Sequence, residues 1–160
     1  MLYLCFKLVH IIAVILFLGN IITGLFWKAH ADRTRNPQLI AHTLVGIIRS
    51  DRWFTLPGIA AIIVGGVGAA VVGGLPLLHT GWILWSIVLF SISGVAFSFR
   101  VAPLQKALAT LAQAHDGSAE FDWVRYHALS KQWEAWGLFA MLTPALAAAL
   151  MVLKPALPSL

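Results

Sequence analysis

The sequence predicts an all-α integral membrane protein, a four-helix bundle with amphipathic helices in its cytoplasmic loops. Three observations predict it. Sixty per cent of the 160 residues are hydrophobic and only 11% are charged, whereas a soluble domain carries roughly 25% charged residues. Four stretches are long and apolar enough to cross about 30 Å of hydrocarbon, which takes roughly 20 residues. The basic residues, finally, fall almost entirely into two of the connections. Eleven basic and six acidic side chains cannot cover a water-exposed globule of this size. Soluble enzymes, nucleic-acid-binding domains and disordered chains are thereby excluded as classes. The single cysteine, Cys5, excludes an internal disulfide and a multi-cysteine metal cluster.

Residues 1–160 read as one domain with four spans, at about 2–27, 54–78, 81–101 and 136–153. The first is too long for the apolar region of a signal peptide and lacks its basic start and small-residue cleavage site, so it is counted as a span. The following loop carries Lys28, Arg33, Arg35, Arg49 and Arg52. Within it Asn36-Pro37 opens a helix whose Ile40, Leu44, Ile47 and Ile48 share one face. Span two is rich in small residues (Gly58, Gly65, Gly66, Gly68, Gly73, Gly74), a pattern that lets helix backbones approach closely in lipid. It would serve tight packing inside the bundle, a groove for a flat cofactor, or contact with a second copy or a partner in a membrane complex. The link at Pro76–Thr80 has no Lys or Arg. After span three come Arg100, Lys106, Arg125 and Lys131, and a second amphipathic helix runs from Pro103 through Leu104, Leu108 and Leu111 to Asp116-Gly117. Nine of the eleven basic residues thus lie in two loops. The positive-inside rule places those loops in the cytoplasm and both termini outside, in the periplasm if the membrane is a bacterial inner membrane. Trp27, Trp53, Trp133 and Trp136 at one boundary and Trp82 and Trp85 at the other fit interfacial anchors.

Few ionisable groups fall inside the spans, and such groups are functional candidates because they are costly in lipid. Lys7 and His10 lie three residues apart and so share a helix face. Val14, Phe17, Ile21 and Gly24 continue that face inward. Such a surface could hold a porphyrin, with His10 as axial ligand, Lys7 near a propionate and Gly24 giving room at the inner end. No second histidine occurs at the same depth; His79, in the outer link, and Met151 are the candidate second ligands. His30, His42, His115 and His127 are scattered through the loops without metal-site spacing, and Asn20 and Ser98 are polar groups that neighbouring backbone can satisfy.

Phe6-Lys7-Leu8-Val9-His10, with the apolar run to Phe17-Leu18-Gly19, resembles the first helix of the HemJ-type protoporphyrinogen oxidases. Asp51-Arg52-Trp53-Phe54-Thr55-Leu56-Pro57-Gly58 resembles the start of their second helix. The wider group includes the CopD-like copper-resistance membrane domains. Across nearly the whole chain the sequence is similar to an uncharacterised family of four-span predicted integral membrane proteins. It shares with them the Lys-x-x-His helix, Trp27-Lys28, Leu56-Pro57-Gly58 and Gly81-Trp82. The resemblance to the oxidases implies haem b ligated by His10. Their third-helix lysine has no counterpart in Trp82–Phe99, so no reaction is carried over. The expected function is haem or porphyrin binding in redox or porphyrin handling. The alternatives are a cofactor-free accessory subunit of a membrane complex, and copper handling near His10, His79 and Met1.

Overall fold

A computed structural model describes residues 1–115 and 120–160. Asp116-Gly117, the expected end of the second loop helix, lie outside the described residues. The described residues form helices and turns alone: α1 (Leu2–Arg33), α2 (Pro37–Ser50), α3 (Leu56–Val72), α4 (Gly81–Ala96), α5 (Ala102–Gln113) and α6 (Trp123–Leu153). The short segments Asp51–Thr55 and Phe97–Val101 are wide π turns. They weld α2 to α3 and α4 to α5, so the chain has four long helical rods, each apolar and long enough to cross a membrane.

The rods are longer than the bilayer is thick. α1 alone, with 32 residues, extends about 48 Å. α2 and α5, the expected loop helices, continue the spans and pack on each other under the bundle. Asn36 caps α2 as its sequence implies, its side-chain oxygen accepting from the backbone N–H of Gln38 at 3.0 Å and of Leu39 at 3.2 Å. Span two also ends earlier than Leu78. Gly74 adopts a left-handed φ of +66°, and the Leu75 N–H returns to the Ala70 carbonyl at 2.9 Å. This closure stops α3 at Val72 and satisfies carbonyls that would otherwise be bare in lipid.

Three prolines shape the rods. Pro57 and Pro103 each stand just beyond a π turn, at the second residue of α3 and α5. A proline cannot donate to the carbonyl four residues back, and the wide turn sits where that donor is missing. Pro144 lies inside α6 and leaves the Ala140 carbonyl without its helical partner. The Ser93 hydroxyl of α4 donates to that carbonyl at 2.6 Å, so a neighbouring helix supplies the lost bond.

Helix pairing positions the interior. α1 packs along α3 and α4 along α6, forming two pairs with no close backbone approach between α3 and α4. The pairs are clamped at the end bearing the long connections, called here the basic end. There α2 meets α5 and α1 meets α6, around a core that includes Ile40, Leu44, Leu108, Phe121, Tyr126 and Trp133. Higher in the spans the interior is thinner, with Ala13, Phe17 and Ile62 at its centre. The glycines of α3 are spent on its pairing with α1. A Cβ on Gly65 would stand 2.8 Å from the His10 backbone nitrogen, one on Gly66 would stand 3.0 Å from the His10 ring, and one on Gly68 would stand 2.6 Å from the Phe6 ring. At the opposite end the C-terminal segment lies over the α3–α4 link, with the Leu160 N–H donating to the Leu78 carbonyl at 3.2 Å and the Trp85 indole to the Pro158 carbonyl at 3.1 Å.

Candidate functional site

The expected site residues are not brought together as one pocket. His10 is half-buried between α1 and α3, and its Nδ1 donates to the Ile62 carbonyl at 2.8 Å. Nε2 makes no hydrogen bond among the described residues, so one ring nitrogen is available as a ligand. Lys7 is exposed and lies over the Tyr3 ring at 5.9 Å. Gly24 is fourteen residues further along α1, about 21 Å away along the axis. His79 faces the tail, its Nδ1 bonded to the Leu160 carbonyl, and Met151 is half-buried in α6. Among the described residues no group of three or more His, Cys, Asp or Glu could hold a metal ion. A haem would thus find one imidazole, and the small-residue groove that could have received its flat ring is filled by His10 and Phe6 themselves.

A second feature lies deeper, above the clamp. A cavity of about 300 Å³ separates the two helix pairs, walled by Phe17, Ile21, Ile59 and Phe90 among others. The Phe17 and Phe90 rings meet across it at 5.6 Å. Both π turns reach it, the first through Asp51 and Thr55 and the second through Phe97, Ser98 and Val101. Its exposed lining residues are Leu56 and Ile63 of α3, Ser91 of α4 and Ser98 of the second π turn. The cavity therefore opens sideways, through the gap between α3 and α4, toward lipid.

Its polar floor is one connected network. Asp51 Oδ1 accepts from Thr55 Oγ1 at 2.9 Å and from Asn20 Nδ2 at 3.2 Å, and Oδ2 accepts from Gln105 Nε2 at 3.1 Å. Asn20 Nδ2 also donates to Thr55 Oγ1 at 2.9 Å, while the Ser50 hydroxyl donates to Asn20 Oδ1. Thr55 and Gln105 are buried. The network joins α1, the first π turn and α5, so the floor is fixed from three elements.

Beside the floor lies Trp133, 3% exposed. It also lines the cavity, and its Nε1–H has no hydrogen-bond partner among the described residues, a state that costs roughly 1–3 kcal/mol. The expectation that Trp133 anchors the protein at the interface is corrected, since the indole is enclosed in the basic-end core. Its other neighbour is Lys28, whose Nζ stands 5.4 Å from the ring centroid. Lys28 is 1% exposed and pairs with Asp32 at 2.7 Å and Glu134 at 2.8 Å. Ser130 bonds the same ammonium, and the Tyr126 hydroxyl donates to Asp32 at 2.5 Å. This group lies beyond the membrane-crossing stretches. Burial, the Asp32 bond and the nearby negative charges push the Tyr126 phenol upward. For Glu134, burial opposes ionisation, but the Lys28 and Ser130 bonds and the Lys28 charge outweigh it and hold the carboxyl below its ordinary range. The five side chains pin α1 to α6 under the cavity.

Sequence reasoning passed over most of these residues. Asn20 was legible as an amide in the middle of an apolar run, and Gln105 as an amide beside Leu104 and Leu108 on the apolar side of α5. Asp51 and Lys28 sat among loop charges and entered only in the charge count and in the family-like stretches Asp51–Gly58 and Trp27-Lys28, with no sign of their burial.

Fold and cavity define a four-span membrane protein with a mainly apolar chamber on a polar floor, open on one side. A family described as "Predicted integral membrane protein (DUF2269)" matches residues 4–155, and the chain belongs to that family. Searches of curated proteins and of solved structures return no match.

Proposed function

We propose that the protein binds a small lipid-soluble molecule in the chamber between its two helix pairs, the molecule entering from the bilayer between α3 and α4. The observation that carries this reading is the chamber itself: about 300 Å³, apolar in its walls, polar at its floor and rimmed by lipid-facing residues. That is the lower end of the size range of small-molecule sites, and the same division of labour between apolar walls and a few polar groups. The floor would orient the ligand's polar end and the walls would hold its body. Gly94 gives the test. It lines the chamber and a Cβ there meets nothing within 4 Å, so Gly94→Phe starts its side chain without a clash at Cβ and puts a ring at the chamber wall. Mass spectrometry of organic extracts should find a small molecule co-purifying with the wild type and missing from Gly94→Phe. Indistinguishable extracts would overturn the proposal. The basic end is assigned to the cytoplasmic side of a bacterial inner membrane, supported by nine of eleven basic residues lying there.

A second reading places haem b on His10. The observation in its favour is the Nδ1 bond to the Ile62 carbonyl, which fixes the tautomer and leaves Nε2 free, as in imidazoles that ligate metals. His10 would be the single protein ligand, and redox chemistry would be what the haem supplies. An absorption spectrum of the protein purified from haem-replete cells decides it. A Soret band lost in His10→Ala supports the reading, and a colourless wild type ends it.

A further inference from the structure

Two polar groups of the chamber are left incompletely used, and they are of opposite kind. The Trp133 Nε1–H is a donor with no acceptor; it is the buried side-chain nitrogen or oxygen without a partner among the described residues. Asp51 is an acceptor with room to spare. A carboxylate offers about four acceptor positions, and the Asn20, Thr55 and Gln105 bonds occupy three, with a single one on Oδ2. Among the described residues the ion pairs are those of Lys28 with Asp32 and Glu134, so Asp51 has no cationic side chain as partner. Both groups belong to residues lining the same chamber.

Ligand classes differ in how they meet this pair. A carboxylate or phosphate would accept from Trp133 but bring a second negative charge beside Asp51. An ammonium would suit Asp51 but has no lone pair for the indole. A ketone or ether accepts from Trp133 and gives Asp51 nothing. A hydroxyl does both, because its oxygen accepts while its hydrogen donates.

We infer that the chamber selects a neutral lipid-phase alcohol or phenol, whose oxygen accepts from Trp133 Nε1–H and whose proton is donated to Asp51 Oδ2. The inference rests on the chamber being a binding site. The apolar body of the ligand lies along Phe17, Ile59 and Phe90, and any tail leaves through the gap between α3 and α4.

Three probes of nearly equal shape test it: 4-hexylphenol, 4-hexylanisole and hexylbenzene. Each is measured by equilibrium dialysis of the detergent-solubilised full-length protein against protein-free micelles. The phenol is expected to bind at least about tenfold more tightly than the anisole or the hydrocarbon. Trp133→Phe and Asp51→Asn should each shrink that preference severalfold, read as the ratio of phenol to hydrocarbon binding within each variant. If all three probes bind the wild type equally, the hydroxyl inference is overturned while the chamber remains a binding site. If none binds above the micelle background, the binding-site reading itself fails. Should either variant lose its cooperative thermal transition, the wild-type series alone decides between these outcomes.

Discussion

Gly65 and Ser93 show how single atoms hold this bundle together. A Cβ at Gly65 would press on His10 backbone atoms, the nitrogen at 2.8 Å and the Cα at 3.0 Å, and backbone cannot turn aside as a side chain can. Gly65→Ala should therefore force α1 and α3 apart and cost about 1–3 kcal/mol, read as a lower thermal transition in detergent. Gly19→Ala is the matched control, since a Cβ there meets nothing within 4 Å; it should leave the transition unchanged or raise it. Ser93 makes a second case. Its hydroxyl serves the Ala140 carbonyl that Pro144 leaves bare, so Ser93→Ala should cost about 1–2 kcal/mol. In a Pro144→Ala background the carbonyl regains its helical donor, and the same serine change should then cost little. A double-mutant cycle showing strict additivity would contradict that account. At this scale the sequence was partly legible. The small residues of span two announced close packing, and their use inside the bundle follows from the α1 side chains they receive. The Ser93–Pro144 relation was not legible, because 51 positions separate two residues whose connection depends on which helices become neighbours.

Among the elements, the pin between α1 and α6 is the most sharply testable. Lys28 is buried, Asp32 is partly buried and Glu134 is half-exposed. Removing the ammonium by Lys28→Met leaves Asp32 facing the Tyr126 hydroxyl with its counter-charge gone. Breaking one side of a buried pair costs about 3–5 kcal/mol, and the exposure of Glu134 argues for about 3. Chemical denaturation of the solubilised protein measures it. Lys28→Met with Asp32→Leu should recover part of the loss, because no buried charge is then stranded. Helix identity was readable from apolar run length and from Asn36-Pro37, yet helix extent was not. The charged stretches after each span carry helix signals of their own, but no local pattern shows that those helices run on from the spans as single rods. In the folded chain α2 and α5 support each other, and that mutual burial carries the rods past the membrane. The two π turns were likewise hidden, since they depend on the meeting of a proline with a continuing helix.

For the molecule as a whole, topology is the open quantity with the simplest readout. In a Cys5→Ser background, Ser159→Cys should react with a membrane-impermeant maleimide added to intact cells, and Gln113→Cys should react only after lysis. Both positions are exposed. The reverse pattern would invert the assignment made from the basic residues. Four spans, an all-helical fold and a bilayer environment were plain from composition and run length. The chamber was not, because a void arises from how two helix pairs are held apart. Its floor draws on Asn20, Asp51 and Gln105, which no local pattern joins.

The wide turns have one more consequence, for the lengths of related chains. Each holds an extra residue compared with an α-helical path. Deleting one residue between Asp51 and Thr55 would let the rod close into a plain helix. The faces on either side would keep their phase, because the wide turn already absorbs the residue that a plain helix would convert into a rotation of about 100°. Leu44 would stay against α5 and Ile62 against α1. What the deletion removes is the wide turn itself, and with it the backbone that sets Asp51 and Thr55 at the chamber floor. A second deletion has no such slack and would swing Leu44 off α5. Aligned relatives should accordingly differ by at most one residue across 51–57 and across 97–103, the lengths at which each rod keeps both its faces.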